Sequence, residues 1–393
     1  MRRSAWAPAL VTLALAIAFL GVRYERGIDG DITKQVGADT TYADPALVPH
    51  GLYVDPAGGG YDGQFLYRFA LDPTDLHVAQ AHGIHLDNPL RSGRIGYPVL
   101  AWVVALGGQS GLVPWALVVV NLAGLAALGA LGGLLAKRFD RDVLWGLLLP
   151  GYFGFAFTLS RDLSEIVAAV ATVGALVLLM DRRRVAAGCA LAGAVLVREQ
   201  ALLTAALLTI GALVYDQLDP EDDTSIAKRL VPLAIPAATF TAWQLVGRAQ
   251  TGQLPAFSSS GANFGPPFVG IYQSMQLWAE GVRGAIAHRR YTGLLDFVQL
   301  AAIVAMVGTA VVVGRRHARQ HMELWLALAG SVVLFCCLTF NVLNDPASFR
   351  TTYDVYLLAA VAVIVAAPRR LTLLALALPV VWALTAWPLL KSA

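Results

Sequence analysis

The chain has 393 residues, 57% of them hydrophobic and only 14% charged, with a formal net charge of +3 and a mean hydropathy of +0.62. That balance is too apolar and too sparsely charged for an ordinary soluble domain, and it points to a chain crossing a bilayer many times. The basic residues are mostly arginine, with lysine only at Lys34, Lys137, Lys228 and Lys391, and no block mixes them with aromatics, so a nucleic-acid partner is not expected.

Apolar runs define eleven expected spans, near 5–22, 112–136, 143–159, 165–180, 185–197, 200–216, 230–247, 294–313, 323–341, 353–366 and 371–388. Arg2-Arg3 ahead of the first run orient the N-terminus toward the cytoplasm. The later basic clusters Lys137-Arg138 with Arg141, Arg182-Arg183-Arg184, Lys228-Arg229, Arg315-Arg316 with Arg319, and Arg369-Arg370 then all fall on the same side. A secretory leader is the rival reading of the first run. Its one Ala-x-Ala, Ala16-Ile17-Ala18, lies inside the run, so an uncleaved anchor is expected.

The segment 97–108 is apolar, but a dozen helical residues reach only about 18 Å. Counting it as a span would turn Lys137-Arg138 and Arg182-Arg183-Arg184 outward, so it is expected to lie on or dip into the outer leaflet. Two outward segments, 23–111 and 248–293, are too long for simple connectors. The first holds Asp29, Asp31, Asp39, Asp44, Asp55, Asp62, Asp72, Asp75 and Asp87. Its centre runs from Gly58 through Tyr61-Asp62-Gly63-Gln64 to Pro73. The glycines allow a tight turn at Asp62, and Phe65, Tyr67 and Phe69 are expected to anchor the following residues at the membrane interface.

The string YDGQFLYRFALDP, followed by Arg94-Ile95-Gly96-Tyr97-Pro98, resembles the first loop of integral-membrane glycosyltransferases of the GT-C superfamily. Ser164-Glu165 and Arg198-Glu199 carry the likeness more loosely through the first half, and the second half matches in style alone, with Arg350 before a late span. The resemblance implies an all-α, polytopic bundle whose long extracytoplasmic loop contains short interfacial helices. It implies transfer of one sugar from a polyprenyl-phosphate donor to an extracytoplasmic acceptor, with inversion and without a cofactor or metal. The position matching the family's acidic base is Asp62. The chain is read as two modules, 1–218 and 219–393.

The chemistry asks for a carboxylate to take the acceptor hydroxyl's proton and for positive charge to hold the departing phosphate. Arginine suits the second role because its guanidinium binds phosphate oxygens in pairs and stays charged. Arg94, Arg198 and Arg350 are the candidate phosphate contacts, and Tyr61, Gln64, Arg161, Asp162, Glu165 and Glu199 the candidate cavity residues. Each has a plainer reading: a turn residue for Asp62, a structural pair for Arg198 with Glu199, a headgroup anchor for Arg94, a solvated turn for Arg161 and Asp162. Asp29 and Asp31 are rivals to Asp62 as base.

His77, His82 and His85 fit no helical metal spacing, and Cys189, Cys336 and Cys337 lie in apolar stretches with no disulfide or zinc pattern. The acidic turn 219–223 reads as a solvated cytoplasmic loop, and Ser258 to Pro267 as a loop leading into an interfacial helix over 270–287. Two other functions use the same residues: a transporter or flippase of a lipid-linked sugar, needing no base, and an inactive GT-C-like accessory subunit. No internal repeat of the kind transporters show is evident.

Overall fold

The computed structural model describes residues 4–217, 225–258, 263–288, 294–343, 348–368 and 373–390. The acidic turn 219–223, residues 259–262 of the second loop, 344–347 and Arg369-Arg370 lie outside them. The described chain is almost all helix: α1 Ala7–Arg26, α2 Gly63–Leu71, α3 Gly96–Val104, α4 Val113–Arg138, α5 Gly154–Ser160, α6 Glu165–Met180, α7 Arg184–Val197, α8 Ala201–Gln217, α9 Ile226–Thr251, α10 Val269–His288, α11 Leu294–Gly314, α12 Met322–Cys336, α13 Phe340–Leu343, α14 Tyr353–Ala366 and α15 Leu373–Leu389. The strand content is one two-residue parallel pairing, Ala38–Asp39 with Val54–Asp55.

Among the described residues, five helical stretches are long and apolar enough to cross a membrane: Ala7–Arg26, Val113–Arg138, Ile226–Thr251, Leu294–His317 and Phe349–Ala366. Glu165–Met180, Arg184–Val197, Ala201–Tyr215 and Met322–Cys336 are apolar but shorter. Large side chains such as Leu10, Leu15, Val103, Val304, Val312 and Val333 stand exposed on the outside of the bundle. In water such a surface would be a liability, and a hydrocarbon surround removes the cost, so the chain is a helical membrane protein.

The helices pack where side chains are small. Gly129 and Gly133, one turn apart on α4, face Ala9 and Ala5, and a Cβ on either glycine would overlap that backbone. Without a hydrophobic force between helices in lipid, such close backbone approach is a main source of cohesion. Helix α14 is the centre of the bundle, with every residue from Tyr353 to Val365 buried against α4, α6, α11 and α12. A helix apolar on all sides is stable only where neighbours cover all sides.

Three local expectations differ from the structure, the first being that the run 323–341 is helical only to Cys336, with a separate turn from Phe340. Segment 143–159 is not one helix: a short turn over Val143–Leu148 precedes α5, and the chain breaks between them. Pro150 has no amide hydrogen to donate, so the helical bonding of the first turn cannot run on through it, although Leu149 itself keeps helical dihedrals. Phe65, Tyr67 and Phe69 are not interfacial anchors but core residues, exposed by 3%, 1% and 0%. They sit on α2, where alternate residues point in different directions, and α2 is covered on all sides by the folded loop and helices α3 and α4.

Candidate functional site

The site forms where the first loop meets the broken ends of the helices. Asp62 immediately precedes α2. Aspartate is a favoured helix cap, yet this side chain makes no capping bond and turns instead toward arginines. Its backbone is pinned because Gly63 sits between two carbonyls. A Cβ there would meet Val36 O at 2.5 Å and Arg161 O at 2.6 Å. Gly63→Ala should therefore cost about 1–3 kcal/mol, the usual range for overpacking, read as a lower melting temperature in detergent.

Two guanidiniums hold the Asp62 carboxylate. Arg91 Nη1 lies 2.8 Å from Oδ1 and Arg350 Nη2 lies 3.2 Å from Oδ2. Arg91 is fixed from behind by a two-point contact with Asp87, at 2.9 and 2.8 Å, and its guanidinium lies over the Phe65 ring. The turn carrying Arg91 and Arg94 is set by Asn88, whose side chain accepts from Leu90 N at 2.9 Å, and by Pro89 at its start. Arg94 donates from Nε and Nη2 to the two oxygens of Glu199, at 3.1 and 2.8 Å.

Glu165 is the deepest member of the site. It opens α6, is fully buried, and its Oε1 accepts from both Arg198 and Arg350. Its Oε2 accepts from Thr158 Oγ1 at 3.2 Å. The N-terminal end of a helix favours such a negative charge. Arg198 follows the last residue of α7 in an extended conformation, and α8 begins at Ala201, so the chain breaks just where the charged pair stands. Arg350 belongs to the turn Ser348–Thr352 before α14, which Tyr152 fastens by donating its hydroxyl to Phe349 O. Tyr61 adds its hydroxyl, 3.3 Å from Arg350 Nε and Nη2.

Asp62, Arg91, Arg94, Glu165, Arg198 and Arg350 thus line one cleft of about 300 Å³, with Phe65, Leu66, Leu163 and Ser164 as its other walls. Four arginines, Arg91, Arg94, Arg198 and Arg350, face four carboxylates, Asp62, Asp87, Glu165 and Glu199, so the formal charge balances. Burial on its own would raise the pKa of Asp62, but Arg91, Arg350 and Arg94 outweigh it and hold the carboxyl well below the usual carboxylate range. Burial likewise pushes Glu199 upward, and the charge and hydrogen bond of Arg94 together with the charge of Arg198 outweigh it and bring the carboxyl down to about 2.

The other candidates sit around this cleft rather than in its wall. Glu199 and Tyr61 touch it through Arg94 and Arg350. Gln64 is occupied elsewhere, its Oε1 accepting from Asp39 N at 3.3 Å. Asp162 lies behind the cleft, fully buried, with Oδ1 accepting from Gln35 Nε2 at 3.0 Å, and Arg161 contributes its backbone against Gly63. Asp29 pairs with Lys34 at 2.7 Å and Asp31 caps the turn Ile32–Val36, both apart from the arginines. His77 contacts Asp75 at 3.0 Å, and no group of three or more His, Cys, Asp or Glu suited to a metal occurs among the described residues.

Arg91 is the site residue that sequence reasoning missed. The signal was present: Asp87 and Arg91 stand four residues apart, and Arg91 and Arg94 three apart, around Pro89.

Asp162 has a pH consequence. Burial raises its carboxyl to about 7, with the Gln35 hydrogen bond and the Arg23 charge pulling weakly the other way. The folded state then holds a proton that the unfolded chain has already released above its ordinary value of about 4. That stabilisation is complete below pH ~4 and is lost as pH rises toward 7, at about 1.4 kcal/mol per pH unit. Melting temperatures taken between pH 4 and 8 should show the fall. Asp162→Asn should remove it and melt higher than wild type at pH 8, asparagine tolerating the positive φ of 51° at this position.

Comparison with protein-family models, with curated proteins and with solved structures finds no match to this chain.

Proposed function

We propose that this protein is a GT-C-like membrane glycosyltransferase, moving one sugar from a polyprenyl-phosphate carrier to an extracytoplasmic acceptor. The observation that carries the reading is one partly exposed carboxylate, Asp62, set among four arginines in a cleft walled by apolar helices. The arginines offer a seat for the donor phosphate, and the surrounding bilayer a place for its tail. The expected topology has a cytoplasmic N-terminus, about eleven spans and this cleft on the outer side.

In the proposed reaction the acceptor oxygen attacks the anomeric carbon and passes its proton to Asp62. The bond from that carbon to the phosphate oxygen breaks, and the phosphate leaves with the electron pair, held by Arg350, Arg198 and Arg94. A carboxylate with so low a pKa is a poor base in the free protein. Arg91 and Arg350 turning toward a bound phosphate would release Asp62 and raise its basicity, so the base is armed by the donor.

The test uses purified protein in detergent. Farnesyl phosphate, a short prenyl phosphate, should raise the melting temperature of the wild type and not of Arg350→Gln. A radiolabelled polyprenyl-phosphate sugar should lose its label to an acceptor or to water in the same micelles. Transport needs a sealed bilayer and transfer does not, so farnesyl phosphate binding without release of sugar from any donor supports a carrier instead. Absence of both binding and release overturns the reading.

A further inference from the structure

A second hollow of about 380 Å³ adjoins the arginine cleft. Its walls come from the next residues along the same two breaks in the chain: Gln200, just after Arg198 and Glu199, and Thr351 and Thr352, just after Arg350. The remaining walls are mostly apolar, with Phe264, Leu334, Phe335, Leu338 and Val355 against Ser331 and Asp354. Among the described residues, none that lines it is Arg, Lys or His.

Asp354 is the anomaly. Its side chain is only 9% exposed, and Oδ2 accepts from Gln200 Nε2 at 3.2 Å. Oδ1 is shielded from solvent and meets no hydrogen-bond donor among the described residues. Its place in the first turn of α14 favours negative charge, but that explains the residue's presence and leaves the second oxygen unsatisfied. A buried acceptor with no donor costs about 1–3 kcal/mol, a penalty that a bound group with a donor would remove.

We propose that this hollow binds an uncharged amphiphile carrying a free hydroxyl, which donates to Asp354 Oδ1 while the apolar body lies along Phe335, Leu338 and Val355. The absence of a cation from the walls argues against a phosphate or carboxylate headgroup here, which Asp354 would repel. The apolar walls argue against a freely soluble polar ligand. The hollow shares no lining residue with the arginine cleft, and its occupancy does not depend on what reaction, if any, occurs there.

The test is photolabelling of the full chain in nanodiscs with a diazirine-bearing C16 alcohol. Cross-links should concentrate in residues 331–338 and 351–355, and excess dodecanol should suppress them at least about tenfold. Asp354→Leu, with the same branched heavy-atom skeleton but no acceptor, should lower labelling of those segments by a similar factor. Should that variant fail to fold, Leu338→Trp, which fills the hollow from its partly exposed wall, should do the same. Unchanged labelling in a folded Asp354→Leu overturns the proposal. So does competition by dodecyl phosphate equal to that by dodecanol, which would assign the hollow to the tail of a phosphate-bearing lipid. Stronger competition by dodecylamine would overturn it in favour of a cationic ligand.

Discussion

Asp62→Asn should fold as the wild type does, transfer sugar about 10²- to 10⁴-fold more slowly, and bind prenyl phosphate more tightly. The rate loss is the range expected when a general base is removed. Folding should survive because neither guanidinium is stranded: Arg91 keeps Asp87 and Arg350 keeps Glu165. The affinity gain distinguishes the proposed role from a merely structural one. In the free protein Asp62 competes with any phosphate for Arg91 and Arg350, so its removal vacates two donors. Titration with farnesyl phosphate, followed by melting temperature, reads this directly. Equal weakening of binding and turnover would mean that Asp62 shapes the cleft and does no proton transfer, and full activity would end the base assignment.

Glu165→Gln should be far more damaging to stability, by about 3–5 kcal/mol. Glu165 is fully buried and is the shared partner of Arg198 and Arg350, whose side chains are themselves only 4% and 8% exposed. A neutral glutamine leaves Arg198 with no carboxylate contact among the described residues and takes the deeper of two carboxylates from Arg350, which keeps Asp62. An uncompensated buried charge costs more than the pair contributed, so the loss should be partly reversed when the second charge is removed as well. Glu165→Gln with Arg198→Gln should melt above Glu165→Gln alone. A double variant that melts as low as the sum of the two singles would show that Glu165 and Arg198 are not energetically coupled.

Much of this fold is legible in the residues. The apolar runs locate most of the long helices, and the dozen-residue limit correctly marks 96–104 as a helix too short to cross a bilayer. The break at Arg198-Glu199 follows from two charges inside an apolar run too long for one span. The second-loop helix expected over 270–287 corresponds to α10. The break near Pro150 was legible in principle, but the run's hydropathy masked it. The fate of Phe65, Tyr67 and Phe69 was not, because an aromatic in an outward segment looks the same whether lipid headgroups or folded protein will cover it.

Composition and hydropathy period are local properties, and they suffice to locate most of the helices and to exclude an ordinary soluble domain, because the bilayer demands a similar apolar length wherever a span lies. Which charges meet is not local. Asp62 and Arg350 are 288 positions apart, and Glu165 meets Arg198 and Arg350 across 33 and 185. Those meetings depend on how helices dock, on Gly63 admitting two carbonyls, and on α14 being covered on every side, none of which any single segment encodes. The same dependence hid Arg91: its importance lies in the carboxylate it faces across space, and only packing brings the two to 2.8 Å.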